Sequence, residues 1–316
     1  MSATSTPLNI GVLGVGHIGR SHARVYSELG DAGARLALIF DTDRAAAEAV
    51  AAPLGARVAD SLEDFAAGID AATVATPTPT HFPLAQFLLE RGRHLLVEKP
   101  ITETTADARA LSALAQARGC VLQVGHIERF NPAFGALETL LTRPKFIEAH
   151  RLSPYPNRST DIGVVLDLMI HDLEIILHLV RSKIASVDAV GVPVLSRGED
   201  IANARLRFAD GCVANITASR ISPEKMRKIR VFQEDAYLSL DYGAQTGEIY
   251  RRAAGAITRE AVEIEKDEPL KRELASFIEC IRSGPGAQPK VTGPQAAAAL
   301  ELAIEITERI AAVNSQ

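Results

Sequence analysis

The segment that most restricts what this chain can fold into is Gly14-Val15-Gly16-His17-Ile18-Gly19. It follows the apolar run Leu8–Leu13 directly, and a helical pattern runs on from His17 to Leu29. A second apolar run, Arg35–Phe40, ends at Asp41. A lone G-x-G-x-x-G is a weak signal. Set between a strand and a helix, with an acid closing the next strand, it has the context that dinucleotide binding requires. Gly14 permits the tight turn, and Gly16 lets a pyrophosphate approach the free N–H groups where His17 and Ile18 open the helix. Gly19 allows close helix–strand packing. Asp41 stands 22 positions after Gly19, placed to accept hydrogen bonds from both ribose hydroxyls. An acid there repels a 2′-phosphate, so NAD is expected over NADP, although Arg44 lies close enough in sequence to soften that exclusion. An ordinary strand–turn–helix would use the same glycines for geometry alone.

The alternation continues. Apolar runs at Arg57–Ala59, Asp70–Ala75, His94–Val97 and Val121–Val124 are separated by helical stretches at Arg44–Ala52, Pro83–Arg91 and Thr105–Arg118, the first broken by Pro53. This predicts a parallel sheet covered by helices over about residues 8–125. The pattern then changes. A helix at Pro132–Leu141, a strand at Lys145–Arg151 and a long amphipathic helix at Val164–Val180 precede a series of short runs: Ser186–Val194, Asn203–Phe208, Val213–Ser219, Ile229–Phe232 and Tyr237–Leu240. These predict a mostly antiparallel sheet with one face covered. Helices at Leu270–Ser283 and Pro294–Ala312 close the chain. The expected division is an α/β dinucleotide domain, 1–125, and an α+β domain, 126–316, that binds substrate and mediates oligomerisation, which suits a length of 316 residues.

The charge balance excludes some partners. Lys plus Arg is 34 and Asp plus Glu is 39, a net charge of −5, which argues against a nucleic-acid surface. Cys120, Cys212 and Cys280 are far apart and odd in number, so neither a disulfide framework nor paired metal-ligand spacing is present, and a reducing cytoplasm is expected. No apolar run approaches a membrane span, and the Ser/Thr-rich start lacks a signal pattern.

Four further segments carry polar chemistry. Thr76-Pro77-Thr78-Pro79-Thr80-His81 follows a strand's carboxyl end, where ligands of open α/β sheets bind, so Thr76, Pro77 and His81 are cofactor candidates. A proline-stiffened turn explains them as well. Glu98-Lys99-Pro100 ends another strand toward the same cleft. Lys99 there can hydrogen-bond a substrate hydroxyl and stabilise an alkoxide, though a solvated Glu–Lys turn reads equally well. Asp167 and His171 are four apart on a strongly apolar helix, where a carboxylate orienting an imidazole suits a general base and a satisfied structural pair is the plain alternative. Asp172 and Glu174 are expected on other faces, and no metal site is expected. Gly125–Pro132, at the domain junction, offers His126, Arg129 and Asn131 as ligand contacts or as junction ties.

Together, in this order, the fingerprint, the T-P-x-x-x-H loop, the E-K-P triplet and the D-x-x-x-H helix resemble the glucose–fructose oxidoreductase/inositol dehydrogenase/rhizopine catabolism (Gfo/Idh/MocA) family, over about residues 8–312. The resemblance implies a Rossmann domain followed by an open-faced antiparallel sheet domain, with the last helix packing back on the first domain. It implies dimers or tetramers built through the sheet faces. It maps cofactor glycines onto Gly14, Gly16 and Gly19, a catalytic lysine onto Lys99 and an acid/base pair onto Asp167 and His171, and brings Glu98 and Lys99 to the cofactor. Many members carry two or three glycines ahead of the catalytic Asp; here only Gly163 stands in Asp161–Leu166. Gly125–Phe134 and Asp167–Asp172 look closest to the family's nucleotide-sugar 3-dehydrogenases, which make a 3-keto sugar for a PLP aminotransferase in surface-glycan or lipid A synthesis. Such a substrate needs donors for its diphosphate; Arg129, Asn131, Arg151, Asn157 and Arg158 are candidates, with a solvated loop as the alternative for the last three. A free-polyol dehydrogenase and a non-catalytic NAD-binding sensor stay open as other readings.

Overall fold

The computed structural model describes residues 6–155, 162–253 and 255–314. They form two compact units. The first takes the chain up to Ile127 together with Glu268–Ala297; the second takes Glu128–Asp267 and the chain from Ala298 on. The division is therefore discontinuous, where the sequence suggested a single cut after Gly125.

The first unit holds six parallel strands: β1 (Leu8–Leu13), β2 (Ala34–Phe40), β3 (Arg57–Val58), β4 (Ala71–Val74), β5 (His94–Glu98) and β6 (Leu122–Gly125). Their order is β3-β2-β1-β4-β5-β6, the doubly wound Rossmann order, and it reverses direction between β1 and β4. Helices α1 (His17–Glu28), α2 (Arg44–Leu54), α3 (Leu62–Ala67), α4 (His81–Glu90) and α5 (Thr105–Arg118) connect them. Ile10, Val12, Ala71, Val74, Leu95 and Val97 are fully buried, which is why these strands read as continuous apolar runs rather than alternating ones. Local chemistry sets the helix ends. Asp43, Ser61 and Thr104 accept N-terminal N–H groups of α2, α3 and α5. Pro53 does not stop α2 as expected: it sits in the last turn, and Gly55, at φ +68°, ends the helix two residues later.

The second unit begins with α6 (Pro132–Leu140) and β7 (Pro144–Leu152). The helix expected over Val164–Val180 is two things: a π-helical turn at Val165–Met169, then α7 (Ile170–Val180). Strands β8 (Ile184–Val192), β9 (Ile201–Phe208), β10 (Val213–Ser219), β11 (Met226–Gln233), β12 (Ala236–Asp241), β13 (Thr246–Ala253) and β14 (Ala256–Ala261) follow. The sheet runs β14-β13-β12-β11-β7-β10-β9-β8; only β7 and β10 pair in parallel. β13 and β14 were not anticipated, because Thr246–Ala261 is rich in charge and shows little alternation.

The two faces of this sheet differ. Ile147, Ala149 and Arg151 of β7 are buried against α7, whereas Phe146, Glu148 and His150 are half-buried on the opposite face. That second face carries an aromatic ladder: Phe146, Phe232, Tyr237 and Tyr250 stand 5.6, 4.6 and 5.0 Å apart by ring centroid, across four neighbouring strands.

The covered face holds ions rather than only apolar groups. Arg151 donates from Nε and Nη2 to both oxygens of Asp172, at 2.8 and 3.0 Å, and from Nη1 to Glu128 at 2.9 Å. Burial pushes Glu128 up, but the Arg151 guanidinium outweighs it and holds the carboxyl below its usual range. Arg129 donates to Glu174 at 2.6 Å, and burial still pushes Glu174 above the usual carboxylate range. Asn131 donates to Glu128 at 3.2 Å and to the Tyr242 carbonyl at 3.1 Å, while its own oxygen caps α6 through Ala133 N–H at 3.0 Å. These contacts correct three expectations. Arg129, Asn131 and Arg151 are each at most 4% exposed and engaged with protein partners, so they tie the unit together rather than reach for a substrate. Asp172 and Glu174 are the buried counter-ions of Arg151 and Arg129.

The chain then supplies α8 (Pro269–Arg282) to the first unit, where Leu270, Leu274 and Phe277 join its core. The final helix, α9 (Gly293–Asn314), was expected on the first domain; from Ala298 on it belongs to the second unit, where Asn314 donates to the Gly191 carbonyl at 3.0 Å and Ile310 packs against Gly191. Among the described residues, no helix is long and apolar enough to cross a membrane.

Removing Arg151 leaves the buried Asp172 without its cation and Glu128 with only Arg227, 3.6 Å away. Arg151→Ala is expected to cost about 3–5 kcal/mol in urea unfolding, a loss that a surface arginine such as Arg44 does not give.

Candidate active site

In the first unit the site is built at the end of β1. Gly14 turns at φ +87°, and a Cβ there would lie 2.8 Å from the Ala75 carbonyl oxygen. At Gly19 a Cβ would meet the Gly14 carbonyl oxygen at 1.9 Å, so α1 packs against the turn only with glycine at that position. Around Gly16 nothing lies within 4 Å of an added Cβ. That side is open, and Gly16 is the N-cap of α1 with no side chain satisfying the first N–H groups. Open space beside unsatisfied N–H groups at the positive end of a helix is what a pyrophosphate fills. His17 is exposed and Ile18 half-buried at this edge.

Asp41 closes the loop from β2. Its Oδ2 accepts from Val15 N–H at 2.7 Å and its Oδ1 from Asp43 N–H at 2.9 Å. A carboxylate has about four acceptor positions, so this one retains capacity for ribose hydroxyls. Arg44, the residue that blurred the NAD preference, is engaged with Glu48 at 2.9 Å and Asp60 at 3.0 Å. The residues present therefore fit NAD.

The Thr76 loop is braced rather than loose. The Thr80 hydroxyl donates to Thr76 Oγ1 at 2.7 Å. His81, expected to touch cofactor, is 1% exposed, and its two ring nitrogens lie 2.8 Å from the Thr76 carbonyl and 2.9 Å from the Pro100 carbonyl. Its ring is thus a clamp between the Thr76 loop and the turn after Lys99, beside a half-buried Thr76 and an exposed Pro77.

Lys99 follows β5 directly and is half-buried, with a cis peptide bond to Pro100. Glu98 differs from expectation. Its carboxylate lies 3.0 Å from Nε2 of His22 on α1, and it is 13% exposed. A Cβ on Gly125, its neighbour on β6, would sit 2.7 Å from Oε1, so glycine there makes room for the inward rotamer. His22 had no motif to mark it.

In the second unit, Asp167 lies in the π turn and His171 in the first turn of α7, both half-buried among buried Val164, Val165, Met169 and Ile170. A π turn inserts an extra residue per turn and is frequent at functional positions. The start of the segment is anchored by Glu199, whose backbone carbonyl accepts from Val164 N–H at 3.0 Å and whose side chain accepts from Val165 N–H at 3.2 Å. A Cβ on Gly163 would lie 2.0 Å from Glu199 Oε1, so the single glycine of this stretch serves the anchor. Arg220 donates to the Ile162 carbonyl at 2.6 Å just ahead of it. Asn157 and Arg158 lie outside the described residues.

Known proteins carry the same plan. Residues 8–126 match the model of the oxidoreductase family with NAD-binding Rossmann fold, and residues 139–239 match the GFO/IDH/MocA C-terminal domain. A UDP-N-acetylglucosamine 3-dehydrogenase of Acidithiobacillus ferrooxidans is 40% identical over 281 residues, 87% of this chain and 88% of that protein. The solved structure of the Acidithiobacillus enzyme superposes with a TM-score of 0.91 at 37% identity, covering 98% of this chain and 99% of that one. A scyllo-inositol 2-dehydrogenase (NAD(+)) of Bacillus subtilis is 30% identical over 233 residues, 67% of each chain. Levoglucosan dehydrogenase in complex with NADH and levoglucosan shares the fold at 17% identity, TM-score 0.87, over 97% of this chain and 98% of that one. The chain is an NAD-dependent dehydrogenase of the Gfo/Idh/MocA oxidoreductase family.

Proposed function

We propose that the protein oxidises a sugar hydroxyl, C3 of UDP-N-acetylglucosamine, to the 3-keto sugar. The observation that carries this reading is the 40% identity to a UDP-N-acetylglucosamine 3-dehydrogenase over 87% of the chain, at a level where the inositol dehydrogenases reach 30–34% over shorter spans. NAD, when bound, supplies the hydride acceptor. The residues supply binding and proton handling. The α1 N-terminus and the Gly14–Gly19 loop take the pyrophosphate, Asp41 the adenosine ribose, and Thr76 and Pro77 line the nicotinamide end. His171 accepts the proton of the carbinol hydroxyl, the Lys99 amine hydrogen-bonds the same oxygen as negative charge develops, and Asp167 orients the imidazole.

A 3-keto sugar nucleotide is a substrate for transamination, so coupling to a PLP aminotransferase in glycan or lipid A synthesis follows from this product, and a cytoplasmic location follows from NAD and UDP-sugar supply. Arg158 stays the candidate for the diphosphate. The aromatic ladder of the open sheet face supports assembly into a homodimer or homotetramer through that face. A free-polyol substrate is the second reading, favoured by the inositol dehydrogenases among the relatives.

Reduction of NAD, followed by absorbance, with UDP-N-acetylglucosamine against myo-inositol separates the two; faster turnover of inositol overturns the nucleotide-sugar reading. Lys99→Ala and His171→Ala are each expected to lower turnover by about 10²–10⁴-fold, with NAD affinity retained by calorimetry; near-normal turnover in both sinks the assignment. Asp41→Ser is expected to raise the ratio of kcat/KM with NADP to that with NAD by roughly tenfold or more, since it removes an anion beside the ribose.

A further inference from the structure

Glu273 is a carboxyl group in a place with no use for a charge. It lies on α8, is fully buried, and neither of its oxygens has a hydrogen-bond partner. Its ligand atoms fall within 4.8 Å of those of Glu98 and His22. The titratable groups that face it are Glu98 at the end of β5 and His22 and Tyr26 on α1; the neutral Thr73 of β4 and Gln123 of β6 complete the surroundings. No lysine or arginine acts on it among the described residues. Two ionised carboxylates so close in a dry pocket repel, and burial followed by the Glu98 charge pushes Glu273 well above its ordinary value.

The hydroxyl groups orient the rest. Burial keeps the Tyr26 phenol protonated, and its oxygen lies 3.0 Å from Thr73 Oγ1, which in turn lies 3.2 Å from Nδ1 of His22. With Tyr26 donating to Thr73 and Thr73 donating to Nδ1, the imidazole carries its hydrogen on Nε2, 3.0 Å from Glu98 Oε1. Glu98 Oε2 accepts from the backbone N–H of Lys99 at 3.3 Å. The cluster thus ends on the peptide that carries the amine.

We propose that Glu273 is carried as a neutral acid beside the Glu98 carboxylate, and that Glu98, held by His22, is a positioning group for Lys99. The second half rests on the reading of Lys99 as the group that meets the reacting oxygen. Ionising Glu273 would drive Glu98 off and release the Lys99 peptide.

Glu273→Gln keeps the size and cannot ionise. A group whose folded value is raised contributes stability in full below its ordinary value of 4.5, and that contribution falls away as pH rises toward the folded value. The variant lacks this loss. Its melting temperature is therefore expected to gain on the wild type steadily as pH rises above the ordinary value of 4.5, and the alkaline limb of its turnover profile to move to higher pH. A melting difference that does not change with pH overturns the proton, and so does a stoichiometric divalent cation that chelation removes from the wild type. A widening difference with an unmoved alkaline limb overturns the positioning role. The melting arm needs no sugar, so it decides on the proton even if UDP-N-acetylglucosamine is not turned over. Should the variant not fold, infrared spectroscopy of the wild type at neutral pH reads the same proton as the carbonyl band of a protonated carboxylic acid; absence of that band overturns the proposal.

Discussion

One guanidinium shared between two carboxylates, away from water, organises the second unit. Arg151 on β7 holds Asp172 on α7 and Glu128 at the junction. Neither acid is tolerable there alone, and the arginine is tolerable only with both. In the proposed mechanism the consequence reaches the proton acceptor, because His171 is the residue before Asp172. Successive residues on a helix point about 100° apart, so fixing Asp172 toward the sheet turns His171 away from it. The imidazole is aimed by its neighbour's ion pair.

The first unit solves the same problem with backbone groups. Asp41 accepts from Val15 and Asp43, His81 spans two carbonyls, and Glu98 accepts from Lys99 N–H. In each case a side chain that by type belongs to a binding site spends part of its capacity holding the loop that forms that site. Such loops are stiff before any ligand arrives, which lowers the ordering cost of binding.

What was legible in the sequence was local. The glycine fingerprint could be read because the turn, the helix N-terminus and the close packing all fall within Gly14–Gly19, and the geometry there matches the reason for each glycine. Both sheets were visible where burial imposes either continuous or alternating apolar residues. Arg129, Asn131 and Arg151 could not be placed, because the partners that occupy them, Glu174, Tyr242 and Asp172, are 45, 111 and 21 positions away. His22 and Glu273 are an extreme case: they belong to helices at opposite ends of the chain and carry no motif. The π turn was hidden by composition, since a segment apolar at nearly every position has no phase to lose.

That turn separates two helical registers. Deleting one residue within Val165–Met169 would restore ordinary α-helical hydrogen bonding and join the two apolar stripes into one. The orientation of Asp167 relative to His171 would change with the register. The irregular turn therefore sets the angle between the acid and the imidazole that the proposed mechanism pairs.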